Sequence, residues 1–171
     1  MENLPSEEKA QSTPPENIIF IEFYNKKNFP VGVWNKEPDF CQWQAYGSHC
    51  IVIRDMKLGS LRGFVACIET HKAYKKSFDE LSQFEWYRNL EVHGMATFVG
   101  KLPPKYNWLN KDNWWIGFEC NHGEDYLPLT KLDRTDPMFA GINSQQTYKD
   151  FHFVRKQVSS LAKQLLKANK K

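Results

Sequence analysis

Two imidazoles, His93 and His122, an indole, Trp115, a hydroxyl, Thr97, and two carboxylates, Glu119 and Asp125, fall within two short stretches of the chain. An imidazole beside a carboxylate can take and give protons near neutral pH, which is what general acid–base chemistry requires. Leu90 to Val99 and Trp114 to Cys120 both read as strands, in which alternate side chains face opposite sides. That alternation sends Val92, Gly94, Ala96 and Phe98, with Trp114, Ile116, Phe118 and Cys120, toward the core. His93, Met95, Thr97 and Val99, with Trp115, Gly117 and Glu119, take the opposite face, and the loop after Cys120 adds His122, Glu124 and Asp125. His93, His122, Asp125 and Glu119 are the candidate acid–base groups. Thr97 and Trp115 are candidate ligand contacts, the indole stacking on a planar ring and Gly117 leaving room for it. The bland alternative is a solvated sheet surface with Glu119 paired to a lysine.

The spacing H-x26-C-x-H-x-x-D matches no standard structural zinc pattern, and alternation turns Cys120 away from His93, so neither a metal nor another cofactor is expected. The chain carries no glycine-rich phosphate loop, no G-x-S-x-G elbow and no H-E-x-x-H helix.

The elements that must position these residues are mostly strands. Ile18 to Tyr24 suits a first strand. Val31 to Trp34 and Cys41 to Ala45 flank a turn at Asn35 to Asp39, and Cys50 to Arg54 and Gly63 to Ile68 continue a meander. Asp79 to Trp86 reads as short helical turns, and the two site-bearing strands are expected to pair. From Thr147 the period changes: Phe151, Val154, Val158, Leu161 and Leu165 recur at helical spacing, which predicts an amphipathic helix over Tyr148 to Lys167. The fold class is α+β, a mainly antiparallel sheet with a long C-terminal amphipathic helix packed on it. Residues 1–17, polar and proline-bearing, are expected to form a flexible tail before a single domain over 18–171.

Composition bounds the rest. A chain of 171 residues with 41% hydrophobic and 15% aromatic residues can bury a continuous core. Its 25% charged residues, and the lack of any apolar run near the ~20 residues that cross a bilayer, argue against a membrane protein. A mean hydropathy of −0.63 agrees. The N-terminus lacks the pattern of a secretory signal and the four cysteines lack disulfide spacing, so a cytoplasmic location is expected. The charge of +3 gathers in the last turns of the helix, where cations complement the helix dipole, so nucleic acid is not an expected partner.

Four blocks carry a resemblance: Trp34-Asn35-Lys36-Glu37-Pro38-Asp39; Leu58-Gly59-Ser60-Leu61-Arg62-Gly63-Phe64-Val65, followed by His71 and Tyr74; His93-Gly94-Met95-Ala96-Thr97-Phe98-Val99-Gly100; and Trp114-Trp115-Ile116-Gly117-Phe118-Glu119-Cys120-Asn121-His122-Gly123-Glu124-Asp125. Together they resemble a widespread, largely uncharacterised family of small proteins of bacteria and bacteriophages, with the patterns H-G-G-x-T-F/Y-x-G and W-W-x-G-F-D-C-x-H-x-G-D. The likeness runs from about Val33 into the final helix. This chain departs from the patterns at Met95, Glu119 and Glu124, and carries Lys72 and Lys75 where proline and glycine are expected. A bulky Met95 is expected to narrow a pocket.

The resemblance implies a phage-type protein, in the host cytoplasm if phage-encoded, acting by analogy in phage–host conflict. The first expectation is a pocket that binds and sequesters a nucleotide-like small molecule, with Trp34, Glu37, His71, Tyr74, Thr97 and Trp115 as ligand contacts. The second is a hydrolase or phosphodiesterase acting on such a molecule through His93 and His122, with Asp125 orienting an imidazole. The third is an inhibitor of a host protein that works through its surface. The oligomeric state is left open.

Overall fold

A computed structural model describes residues 17–130 and 145–170. The tail over Met1 to Glu16 and much of the loop expected between Asn121 and Gln146 lie outside the described residues. Six strands form one sheet: β1 (Asn17–Glu22), β2 (Phe40–Ala45), β3 (Ser48–Arg54), β4 (Leu61–Cys67), β5 (Phe98–Gly100) and β6 (Trp114–Glu119). Their order is β1-β2-β3-β4-β6-β5, and every pairing is antiparallel. Two short helices, α1 (Phe78–Ser82) and α2 (Glu85–Arg88), follow β4, and α3 (Phe151–Asn169) closes the chain. The mixed α+β architecture is the one the sequence predicts.

The apolar stripe of α3, including Val154, Val158, Leu161 and Leu165, is buried against one face of the sheet. The alternate residues Cys41 and Trp43, Cys50 and Val52, Leu61 and Val65, and Ile116 and Phe118 meet it there. Gly63 lets the helix approach: a Cβ at this position would stand 2.3 Å from Val158 Cγ2. Asp150 caps α3, its side chain accepting the Phe153 N–H at 2.7 Å.

The opposite face of the sheet is a second core. Phe40, Ile51, Ile53, Phe64, Ala66 and Trp115 pack there with Leu102 and Leu109, under a 3-10 turn over Pro104–Leu109. The sequence reading left this face for solvent or ligand. It is covered because the segment after β5 folds back over the sheet and brings its own apolar side chains.

Two expected strands are corrected. Val31 to Trp34 is not extended; the chain forms a 3-10 turn over Val33–Lys36, and Trp34 Nε1 donates to the Pro30 carbonyl at 2.8 Å. Leu90 to Val99 is a strand only from Phe98. Gly94 and Met95 have φ of +63 and +80, outside the range of regular strand backbone. The backbone upstream is satisfied by α3 instead of a ladder: Gln164 accepts from Glu91 N at 2.8 Å and donates to Glu91 O at 2.9 Å, and Gln157 Oε1 accepts from His93 N at 3.0 Å. Among the described residues no helix is long and apolar enough to cross a membrane.

Candidate functional site

β6 ends at Glu119, and the chain turns over His122 to Asp125, where Asp125 N–H donates to the His122 carbonyl at 2.9 Å. An isolated parallel bridge between Asp125 and Thr147 ties this turn to the segment that leads into α3. Across from it, the helix-bound stretch around His93 is held by Gln157. Two loops remote in sequence therefore face each other beside the N-terminal half of α3.

Three side chains meet between them. His93 Nε2 lies 2.9 Å from both Asp125 Oδ1 and Oδ2, and His122 Nδ1 lies 3.3 Å from Oδ2. Asp125 Oδ2 also accepts the His122 backbone N–H at 2.9 Å. The side chain of Asp125 is 1% exposed, that of His93 17% and that of His122 37%, so the carboxylate forms the floor and the imidazoles open toward solvent. The two rings stand edge to face with centroids 5.5 Å apart.

Glycine at position 94 is demanded twice. Its φ is left-handed, and a Cβ there would lie 1.9 Å from His122 Cε1, so the imidazole rests directly on the glycine. The rim carries Phe153, edge to face with His93 at 5.6 Å, and Lys149, whose Nζ lies 3.9 Å from Asp125 Oδ1 and 5.7 Å from the Phe153 ring centre. Met95, 66% exposed, projects beside the glycine. Cys120 is buried beneath the turn; burial above all, then the nearby charge of Asp125, pushes its thiol up, which disfavours the thiolate.

Of the residues singled out in the sequence, His93, His122 and Asp125 converge; the others lie elsewhere. Trp115 is 2% exposed in the outer core, on the face of the sheet away from α3, and does not share a hollow with His93. The space expected above Gly117 is filled by Phe64, whose ring would stand 2.3 Å from a Cβ there. Glu119 pairs with Arg62 Nε at 3.1 Å, its cross-strand neighbour, and accepts from Asn121 Nδ2 at 3.1 Å. Thr97 is exposed in the loop before β5.

The remaining candidates are built into the scaffold. Trp34, 7% exposed, is stacked on Tyr126 and edged by Tyr148, which leaves no open ring face for a ligand. Glu37 accepts the Phe151 N–H at 2.9 Å and the Tyr148 hydroxyl at 2.6 Å, and pairs with Arg54 Nη2 at 3.0 Å. It serves the first turn of α3 together with Asp150. His71 uses both ring nitrogens, Nδ1 accepting from Ala73 N–H at 3.0 Å and Nε2 facing the Leu165 carbonyl at 3.2 Å. Tyr74 is half-buried, with Lys75 Nζ 5.3 Å from its ring centre.

Sequence reasoning missed a groove elsewhere on the molecule. On the outer face of the sheet a groove of about 540 Å³ is lined by Tyr24, Phe98, Tyr106 and Trp108, with Lys57 and Lys105 among its polar residues. The aromatic content of the segment over 98–108 was the available signal, but a chain read as a plain loop does not announce which face it will cover.

The site offers an imidazole pair set against a fixed carboxylate, an arrangement suited to moving a proton. Its ligand atoms also lie close enough together for one ion: a nitrogen of each histidine and an Asp125 oxygen are all within 4.8 Å of one another. Comparison of the chain with protein-family models, with curated proteins and with solved structures finds no match in any of the three.

Proposed function

We propose that the chain hydrolyses a phosphoester bond in a small nucleotide-like molecule at the centre formed by His93, His122 and Asp125. One observation carries this reading: two imidazoles from separate loops converge on one carboxylate that is 1% exposed. A carboxylate that holds one nitrogen of an imidazole leaves the opposite nitrogen positioned for proton transfer. Here those are His93 Nδ1 and His122 Nε2. The more exposed His122 takes a proton from water as the water oxygen bonds to phosphorus. The ester P–O bond breaks, and the departing oxygen receives a proton from the imidazole pair. Lys149 and Phe153 at the rim offer a cation for phosphate and a ring edge for a base.

The test is incubation of the protein with a panel of cyclic and adenosine-derived nucleotides, followed by chromatography. Product is expected with the native chain and none with His122→Ala. Intact recovery of every member of the panel from the native protein would sink the reading.

Sequestration without turnover is the second reading, and the outer-face groove favours it. Trp108 and Tyr106 supply ring faces and Lys57 and Lys105 supply charge, on the side of the sheet opposite α3. Calorimetry with the same nucleotides separates the two. A ligand bound and recovered unchanged, with affinity lost in Trp108→Ala and kept in His122→Ala, would place function in the groove.

A further inference from the structure

The atoms that converge at the proposed hydrolytic centre are spaced as metal ligands are. Metal–nitrogen and metal–oxygen bonds of about 2.1 Å, at tetrahedral or octahedral angles, set neighbouring ligand atoms about 3 Å apart. The two His93 Nε2 separations from Asp125 are 2.9 Å, and His122 Nδ1 lies 3.3 Å from Oδ2. A nitrogen of each histidine and an Asp125 oxygen all lie within 4.8 Å of one another, close enough to meet about one ion.

The chemistry of the set agrees. Two imidazoles and one carboxylate are borderline ligands that suit zinc and its neighbours, and three protein ligands leave a position for water. The ligands also come from loops pinned by other contacts: Gln157 holds the His93 backbone, Gly94 supports the His122 ring, and Thr147 anchors Asp125. The carboxylate floor is buried while both imidazoles reach solvent, which gives an ion a way in. Lys149 stands at the rim, its Nζ 3.9 Å from Asp125 Oδ1, and does not fill the space between the three ligand groups.

We infer that His93 Nε2, His122 Nδ1 and Asp125 bind one divalent metal ion of the zinc type with an open coordination position. The inference rests on the same three residues as the hydrolytic reading and deepens it. In that case the ion would activate the attacking water, and this one step of the hydrolytic reading passes from His122 to the metal while the substrate and the bond broken stay the same.

The experiment reads metal binding directly, apart from turnover. Tag-free full-length protein is stripped with chelator and dialysed, then titrated with zinc by calorimetry and with cobalt by visible absorption. One equivalent per chain is expected, with the intense visible bands of low-coordinate cobalt. His93→Ala and His122→Ala should each weaken binding by about 100-fold or more, since removing a ligand should cost more than the about 10–100-fold lost when a group that only orients a ligand is removed. His122→Ala is the informative variant because its partly exposed ring can be removed with little risk to folding, and circular dichroism checks that. Absence of saturable binding at millimolar metal, or binding unchanged in both histidine variants, overturns the inference. Nucleotide hydrolysis that survives chelation would leave the hydrolytic reading standing without the metal. Stoichiometric metal with no hydrolysis would do the reverse.

Discussion

Asp125 is the residue on which the site depends, because it is buried and every other polar group of the centre is aimed at it. Asp125→Asn keeps the shape and removes the charge, leaving an amide among N–H donors that can accept with one oxygen only. A stability loss of about 1–3 kcal/mol is expected, measured by urea denaturation, together with loss of any activity of the centre. Gly94→Ala is the complementary test, since it adds one methyl group and no charge. The left-handed φ and the collision with the His122 ring both oppose it, so the imidazole must leave its place. Activity and metal affinity should fall as far as in His122→Ala while the circular dichroism spectrum is retained; wild-type activity in Gly94→Ala would remove His122 from the centre.

At the scale of elements, α3 is secured at both ends by residues that resemble a binding motif in the sequence. Glu37 accepts from its first turn while Arg54, Asp39 and Lys26 form a buried ion network beside it. His71 holds the other end through the Leu165 carbonyl. Only the neutral ring with its proton on Nε2 satisfies both His71 contacts, because a proton on Nδ1 would face the Ala73 N–H. Burial is the chief cause that lowers the pKa of His71 from its ordinary 6.5. The unfolded chain therefore binds this proton at a higher pH than the folded one, and the stability His71 contributes is complete above about pH 6.5 and declines as pH falls through the folded value. Urea midpoints should drop between pH 7.5 and pH 5.5, and the drop should be smaller in His71→Leu. An equal drop in both would assign the acid sensitivity to other groups. Where α3 crosses the sheet, Gly63→Ala should cost about 1–3 kcal/mol by overpacking against Val158, with the site left intact.

At the scale of the whole molecule the sheet is a partition. One face packs on α3 and carries the His93, His122 and Asp125 centre along its border; the other packs under the turn over 104–109 and carries the aromatic groove. Mutations on one side should leave the chemistry of the other unchanged provided the chain remains folded. Trp115→Ala, in the outer core, is expected to cost about 3–5 kcal/mol, seen as a lower denaturation midpoint. At a temperature where the variant is still folded, its metal affinity should match that of the native chain. A large loss of affinity there would mean that the two faces communicate.

Periodicity along the sequence determined the antiparallel meander from β2 to β4, the strand β6 and the amphipathic helix, because burial on a helix or sheet repeats at the spacing of the backbone. Alternation singled out His93, the loop after Cys120 added His122 and Asp125, and the fold brings the three together. It did so for a reason alternation did not supply. His93 sits on a loop, not a strand, since Gly94 and Met95 turn the chain and Gln157 and Gln164 of α3 take up its backbone hydrogen bonds. Trp34, Glu37 and His71 looked like ligand contacts because aromatic, acidic and imidazole side chains serve scaffold and site alike. Whether Glu37 meets a helix end or a ligand depends on which distant N–H lies within reach. The covering of the outer face was likewise decided only in three dimensions: local pattern records that a side chain is apolar, while the segment that buries it is set by where the rest of the chain returns.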